Sequence, residues 1–352
     1  MNVKIESVKL LTLESPRPDG NSRPNQFIEV TTDEGIEARC VTDMMPTEVA
    51  MLRQKVLGKD PLEREMLFQM LYLTRHVRRG WSGGFDNCLW DIAGKAAGLP
   101  VHALIGRVRE RLPAYLTQGR RELEGYLEDI ERGRELSGIR AYKFHSYRTG
   151  KEDLPILTAV REAVGPDYAL MHDPVCCYTL RDAVMVGRVL EELDFVWLEE
   201  PMHEQKMDLY QELCRELIIP VMATETLMHD MYLSAQWLIQ RATDRLRANA
   251  RNGTTQVLKL AHFAELHSTN VELNYIAGLY GLIHAHLGCC IENTDYFEAF
   301  SPESDALHKQ GEEWGLLNAP LIEGGYLTPP DGPGWGAKWD ETRFQSLIVR
   351  EC

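Results

Sequence analysis

The chain has 352 residues, with 38 Lys plus Arg against 53 Asp plus Glu, so its formal net charge is −15 with histidine neutral. A surface with so little basic character repels polyanions, which argues against DNA or RNA as a partner. Apolar residues at 44% and charged residues at 26% are typical of a soluble globular protein, and this length predicts one large barrel or two domains. No run of about 18 apolar residues occurs, and the first residues alternate like a strand. We therefore expect no membrane segment and a cytoplasmic protein.

The eight cysteines do not suggest a disulfide framework or a metal site. They lie far apart or as adjacent pairs, and no Cys-x-x-Cys occurs. Adjacent cysteines rarely satisfy disulfide geometry or metal-ligand spacing. We expect free, reduced thiols.

The first part of the chain, about residues 1–110, predicts an α+β domain. Two strand-like runs, VKIESVKLLTL and FIEVTTDEG, are separated by SPRPDGNSRPN, whose Pro, Gly, Asn and Ser content predicts a loop. Three segments of helical periodicity follow, at residues 46–57, 61–76 and 82–97. The loop is a candidate lid over a substrate.

From about residue 111 to 315, short apolar runs alternate with helical segments, which predicts βα units and a parallel sheet. The eight runs are LPAYL, IRAYKFHSY, DYALMHD, FVWLEEP, IIPVMATE, TDRLRA, TNVELN and CIENTDYF. Landmark residues at the ends of the second to seventh runs recur at intervals of 24 to 30 positions, which favours a β/α barrel over a doubly wound open sheet. The Gly- and Pro-rich residues 316–352 are expected to fold back on the N-terminal domain.

Three carboxylates at the ends of consecutive predicted strands indicate a metal site. They are Asp173, Glu199 and Glu225, and the differences 199 − 173 and 225 − 199 are both 26. Neighbouring strands lie about 4.8 Å apart, so three acids at one level would converge, and a cation between them would offset their repulsion. A set made only of oxygen donors favours Mg²⁺. The alternative is that each acid caps a helix or pairs with a surface base.

The strand before the first acid carries candidate proton-transfer and charge-neutralising groups. The alternation of IRAYKFHSY points Lys143, His145 and Tyr147 to one face. A lysine can neutralise carboxylates, and a histidine, with an unperturbed pKa of about 6.5, can exchange a proton near neutral pH. The alternative is that both simply line the barrel wall.

These motifs resemble the enolase superfamily, and within it the mandelate racemase-like group, over essentially the whole chain. The segments DNCLWDIAGKAAGLPVHALIG and VRERLPAY resemble its hinge between domains, EEP its second-ligand motif, and DGPGWG its C-terminal signature. The resemblance implies a (β/α)7β TIM-like barrel with an α+β N-terminal capping domain, completed by the C-terminal segment. It also implies Mg²⁺ on Asp173, Glu199 and Glu225, abstraction of the proton beside the carboxylate of a small-molecule substrate, and a homo-oligomer.

The chain departs from this family on the second barrel strand. The usual Lys-x-Lys is here Lys143-Phe144-His145, so a histidine holds the place of the lysine base. On the eighth strand, Glu298 matches a family acid that hydrogen-bonds the substrate carboxylate. The site would therefore keep one proton-transfer group, His145, with Lys143 screening the carboxylate.

The opposite face of the substrate is normally served by an Asp–His dyad, which this chain lacks. Asn249 stands where the Asp is expected, and Asn274, Tyr275 or Gly278 fills the place of the histidine, depending on where a gap is put. An amide cannot accept a proton. Racemisation needs a group on each face, whereas elimination of water can proceed from one, so dehydration of a hydroxylated sugar acid is favoured. A racemase or epimerase, and a degenerate barrel that only binds an acid, are the alternatives.

Residues for substrate recognition are predicted less directly. Arg17 and Arg23 in the N-terminal loop could clamp a distal carboxylate, although loop arginines are usually solvated. Tyr147, Asn274 and Tyr275 are further candidates at the strand ends. A zinc hydrolase is disfavoured because the first barrel strand, RLPAYLTQG, has no His-x-His.

Overall fold

The structure, a computed structural model, describes residues 3–16, 22–75, 77–274, 278–301 and 311–352. For Pro16, Ser22 and Arg23 it describes the backbone alone.

An antiparallel sheet and four helices form the N-terminal unit. The sheet order is β14-β1-β2-β3, with β1 at Ile5–Pro16, β2 at Ser22–Thr32, β3 at Glu37–Val41 and the C-terminal strand β14 at Ile348–Glu351. The helices are α1 (Pro46–Val56), α2 (Arg64–Tyr72), α3 (Gly83–Ala97) and α4 (Val101–Ile105). Residues from both ends of the described chain thus share one sheet.

Two predictions in this unit need correction. The loop expected over SPRPDGNSRPN is partly strand, because β1 and β2 stay in register as far as the pair Pro16 and Ser22. Leu13 and Phe27 are buried together with Phe344, and this packing stabilises the part of the hairpin that leads to the predicted loop. The helix predicted over 61–76 begins only at Arg64, since the preceding residues form a turn in which the Leu62 amide donates to the Asp60 side chain at 2.8 Å.

Eight parallel strands close into a barrel, which confirms the predicted fold class. They are β4 (Leu112–Gln118), β5 (Ala141–His145), β6 (Ala169–Asp173), β7 (Leu198–Glu199), β8 (Val221–Ala223), β9 (Arg245–Ala248), β10 (Val271–Leu273) and β11 (Phe297–Ala299). Each pairs with the next, and β11 pairs with β4. The intervening helices are α5 (Leu123–Ser137), α6 (Gly150–Val164), α7 (Leu180–Glu192), α8 (Met207–Glu216), α9 (Met231–Ile239), α10 (Thr254–Leu266) and α11 (Gly278–Cys290). A hairpin of β12 (Ile322–Glu323) and β13 (Tyr326–Leu327) adds to β4, and α12 (Glu341–Ser346) precedes β14.

The eighth strand begins later than the predicted run CIENTDYF. The backbone amides of Asp295 and Tyr296 donate to the buried side chain of Glu272, at 3.1 and 3.4 Å, instead of to a neighbouring strand. The ladder with β4 starts at Phe297.

Helix α3 docks the N-terminal unit on the barrel beside the end of β9. The Asn87 amide donates to the Ala250 carbonyl at 2.8 Å, and Asp86 accepts from the amide and hydroxyl of Thr255 at 2.8 and 2.7 Å. A Cβ on Gly83 would lie 2.0 Å from the Arg251 carbonyl, so only glycine permits this approach. These contacts hold the turn that follows the sixth barrel strand.

All eight cysteines are free thiols, as the spacing predicts. Within the described ranges, no helix combines the length and the apolar character needed to cross a bilayer.

The pKa of Glu272, a buried residue of β10, gives a test of how the stability of the protein depends on pH. Burial, aided by repulsion from Asp295, raises its pKa from 4.5 to about 7. Between these values the native protein holds a proton that the unfolded chain has lost, so its stability falls as pH rises, by up to about 3 kcal/mol. We expect Glu272→Gln to flatten the decline of the urea midpoint between pH 5 and 8. The exposed Glu265→Gln is the control, and equal slopes in all three proteins would contradict the assignment.

Candidate active site

The polar residues singled out by the motifs gather at the C-terminal ends of the barrel strands. His145, Asp173 and Glu199 are the last residues of β5, β6 and β7, Glu225, Asn249 and Asn274 follow β8, β9 and β10, and Glu298 lies in β11. Since parallel strands end at one mouth of the barrel, these side chains share one site.

Lys143 is the central cation of this site. Its side chain is 1% exposed, and Nζ lies 2.9 Å from Glu199 Oε2, 2.8 Å from Glu298 Oε1 and 3.6 Å from Asp173 Oδ2. Burial and the nearby Arg247 lower the pKa of Lys143, but Glu199 and Glu298 outweigh them and raise it well above its ordinary value. The lysine is therefore charged at all physiological pH values.

His145 stands at the mouth, beside the first acid. Its Nε2 lies 3.1 Å from Asp173 Oδ2, its Nδ1 lies 2.7 Å from Thr117 Oγ1, and its ring stacks on Phe300. The Thr117 hydroxyl donates to the Lys143 carbonyl oxygen at 3.0 Å and so accepts from Nδ1. Both ring nitrogens then face acceptors, which is the arrangement of a proton donor.

Asp173 is held in its ionised form. Burial alone would raise its pKa, but His145, through its charge and its hydrogen bond, and then Lys143 bring the pKa below its ordinary value. The second oxygen, Oδ1, accepts from the Val175 amide at 2.8 Å.

Glu199 has donors on every side. Oε2 accepts from Lys143 Nζ at 2.9 Å and Trp197 Nε1 at 3.1 Å, and Oε1 accepts from Arg247 Nε at 2.6 Å and lies 2.5 Å from Arg247 Nη2. The carboxylate is fully buried. Two cations therefore hold the central acid of the predicted metal site.

Arg247, on β9, is a site residue that sequence reasoning missed. Besides Glu199, its Nη2 lies 3.1 Å from the Tyr115 hydroxyl and 3.2 Å from Glu298 Oε2, and its Nε lies 3.8 Å from Glu225 Oε2. Its side chain is fully buried, and Nη1 has no hydrogen-bond partner among the described residues. The available signal was the alternation of TDRLRA, which puts Arg247 on the same face as Asn249.

Glu225 is carried by a turn that Glu204 organises. The Glu204 carboxylate accepts from the Thr224 amide, from the Glu225 amide at 2.9 Å, and from the amide and hydroxyl of Thr226. Thr224 has a φ of +80°, a strained value for a β-branched residue. Burial raises the pKa of Glu225 to about 7, and Glu199 adds to this rise although Arg247 opposes it.

Glu298 is an ionised partner of the two buried cations. Burial would raise its pKa, but Lys143 and then Arg247 lower it to about 2. An ionised carboxylate cannot donate a hydrogen bond. In this arrangement Glu298 lies 2.8 Å from Lys143 Nζ and positions that lysine.

The residues suit Mg²⁺ in kind and in charge. Four carboxylates, Asp173, Glu199, Glu225 and Glu298, face two permanent cations, Lys143 and Arg247, so the acids outnumber the permanent cations by two. Within the described parts of the chain, however, no three His, Cys, Asp or Glu side chains are close enough to hold an ion as they stand. The three predicted ligands do not meet at one point, because the lysine and the arginine lie between them.

An amide pair occupies the face that an Asp–His dyad normally serves in the family. Asn249 Nδ2 donates to Asn274 Oδ1 at 2.9 Å, and Arg251 Nη2 donates to the same oxygen at 3.2 Å. His284 on α11 is buried and accepts from the Ala250 amide at 3.1 Å, and burial lowers its pKa to about 3. No group in this pair can accept a proton near neutral pH.

The structure describes the side chains of only some of the predicted substrate-binding residues. Tyr147 is half-exposed at the mouth with a φ of +52°. Arg17 and Tyr275 lie outside the described residues, and for Arg23 only the backbone in β2 is described.

A barrel with buried acids and cations at the C-terminal strand ends, docked against an N-terminal α+β unit, is the architecture of a barrel enzyme with a polar active site. The family model described as "Enolase C-terminal domain-like" matches residues 125–343. The D-galactarolactone cycloisomerase of Agrobacterium fabrum is 30% identical over 338 residues, covering 89% of this chain and 88% of that protein. The arabinonate dehydratase of Saccharolobus solfataricus is 28% identical over 317 residues, covering 86% and 83%.

A solved structure shares the whole architecture. The D-glucarate dehydratase of Agrobacterium tumefaciens, complexed with magnesium, superposes with a TM-score of 0.83 at 27% identity, covering 99% of this chain and 100% of that one. The chain belongs to the enolase superfamily, as the motifs implied.

Proposed function

We propose that the protein is a Mg²⁺-dependent enzyme that abstracts the α-proton of a hydroxylated sugar acid and eliminates water to give a 2-keto acid. The observation that carries this proposal is the asymmetry of the site. A proton carrier, His145, and a cation, Lys143, stand on one side, and the amides of Asn249 and Asn274 stand on the other. Relatives named as dehydratases of arabinonate and of L-talarate and galactarate support it.

Asp173, Glu199 and Glu225 would hold the cation, which supplies positive charge to an oxyanion that develops on the substrate carboxylate. Lys143 Nζ screens the same carboxylate, and Glu298 keeps that lysine in place. In its neutral form, with Nε2 released from Asp173, His145 accepts the proton from C2 through Nε2, and the C–O bond to the hydroxyl on C3 breaks.

His145 then returns its proton to the departing hydroxyl, so that water leaves and the resulting enol tautomerises to the 2-keto acid. One group on one face thus serves both proton transfers. Racemisation needs a second carrier on the opposite face, where this chain has amides.

A direct test incubates the protein with Mg²⁺ and a panel of aldonic and aldaric acids in D₂O. Formation of a 2-keto product that stops on addition of EDTA supports the proposal. Exchange of the α-hydrogen without a keto product would favour a racemase or epimerase instead. Absence of both across the panel would leave a barrel that binds acids without catalysis.

The turn around Glu225 gives a prediction about metal binding. Glu204→Gln removes a charge and one acceptor from the four donors that this carboxylate holds. Groups that orient a ligand are worth about 10- to 100-fold in metal affinity, so we expect Mg²⁺ binding to weaken by that factor in titration calorimetry. Glu216→Gln, at the exposed ion pair with Arg188, is the control. An unchanged affinity would show that Glu204 does not position Glu225.

A further inference from the structure

The contacts of Glu199 present a conflict with metal binding. A carboxylate has about four lone-pair directions, and three N–H groups, of Lys143, Trp197 and Arg247 Nε, donate into those of Glu199. Arg247 Nη2 also lies 2.5 Å from Oε1, the oxygen that Nε contacts at 2.6 Å. The guanidinium therefore covers Oε1, and a divalent ion can bind this oxygen only if the guanidinium moves away.

Arg247 is the donor that can leave at the lowest cost. Lys143 is held by Glu298 at 2.8 Å and lies near Asp173, and Trp197 is fixed by packing in the barrel interior. Both nitrogens that lie within 2.6 Å of Oε1 belong to this one side chain, so its movement alone clears that oxygen. Its Nη1 is buried without a hydrogen-bond partner among the described residues, so the guanidinium has an N–H group that could form a new hydrogen bond after it moves.

The positive charge of Arg247 also opposes metal binding. Arg247 contacts Glu199 and Glu298 and lies 3.8 Å from Glu225. A permanent positive charge so close to two predicted ligands repels Mg²⁺ and offsets the charge that would attract it. Without metal, the same arginine keeps buried Glu199 from being an uncompensated charge, which would be costly.

We infer that Arg247 competes with Mg²⁺ for Glu199 and is a positioning residue that lowers the affinity of the site for the ion. The inference rests on the proposed function, because it presupposes a Mg²⁺ site on Asp173, Glu199 and Glu225. It explains why the described carboxylates pair with Lys143 and Arg247, and why no three of them are close enough to hold an ion.

The same strand supplies a matched control. Arg245 precedes Arg247 by two residues on β9 and also forms ion pairs in the barrel, with Glu272 at 3.1 Å and Asp295 at 2.7 Å. Neither partner is a predicted metal ligand. Arg245→Met therefore removes a comparable arginine without changing the contact between Arg247 and Glu199.

The test is titration calorimetry of the full chain with MgCl₂ alone, for wild type, Arg247→Met, Arg247→Lys and Arg245→Met. We expect Arg247→Met to bind Mg²⁺ at least about tenfold more tightly than wild type. Arg247→Lys, which keeps the charge but loses the double contact, should tighten binding by a smaller factor. Arg245→Met should bind as wild type does.

Thermal unfolding with and without Mg²⁺ gives a second readout in case Arg247→Met is poorly folded. The midpoint gained on adding Mg²⁺ should be larger for both Arg247 variants than for wild type. Binding by the Arg247 variants that is unchanged or weaker would overturn the inference while leaving the metal site intact. Absence of Mg²⁺ binding in every protein would overturn the proposed site and this inference with it.

Discussion

Replacement of His145 by alanine is expected to reduce turnover of the hydroxy acid by about three orders of magnitude, the usual contribution of a positioned general acid and base. The imidazole lies between Asp173 and Thr117 at the barrel mouth and is the proton carrier of the proposed reaction. Steady-state formation of the 2-keto acid measures the loss. Since His145 is not a predicted ligand, Mg²⁺ binding should change by only a few fold.

Exchange at the α-carbon in D₂O separates this role from a structural one. Without the base, the variant should lose exchange as completely as it loses elimination. His262→Ala, at an exposed position on α10, should keep both. Persistence of exchange in His145→Ala would show that another group abstracts the proton. The base would then have to be sought on the opposite face of the site, around Asn249.

Most of the barrel could be predicted because its signal is local. Each strand is a short apolar run with a polar residue at or just after its end, and even the two-residue strand Leu198–Glu199 is marked by the EEP that begins at its second residue. The eighth strand was placed too early, because the amides before Phe297 bond to Glu272 on another strand. That partner is set by closure of the barrel, which a linear pattern does not contain.

The site could be predicted at the level of which residues face the mouth. Alternation along β5 was enough to select Lys143 and His145, and the constant spacing selected the acids. Their mutual contacts could not be predicted, because Arg247 meets Glu199 across 48 residues of chain and two strands of the barrel. A cation inside the acid cluster changes the electrostatics of the whole site, and only the folded arrangement brings it there.

The amide face illustrates the same limit. Each of Asn249 and Asn274 was assigned separately to a place in the missing dyad, with the second place left open. Their direct hydrogen bond depends on the register of β9 and β10 and on the turn that α3 and His284 hold. Sequence comparison shows which group is missing, whereas the structure shows what has taken its place.

Replacement of Lys143 by methionine is expected to cost about 3–5 kcal/mol of stability, the range for removing one partner from a buried ion pair. Methionine keeps much of the volume but leaves Glu199 and Glu298 with Arg247 as their remaining permanent cation, and Asp173 with His145 alone. The four carboxylates then outnumber the permanent cations by three instead of two. Urea unfolding at neutral pH measures the loss.

Lys9→Met is the matched control, because Lys9 forms a 3.0 Å pair with Glu351 in which the two side chains are 40% and 52% exposed. An exposed pair of this kind contributes about 0–1 kcal/mol, so this variant should unfold close to wild type. Because the Lys143→Met defect is one of charge, Mg²⁺ should restore more stability to this variant than it adds to wild type. A loss no larger than that of the control, or one that Mg²⁺ does not reduce, would mean that Lys143 supports the barrel mainly by packing. The excess of carboxylates would then not be what governs the site.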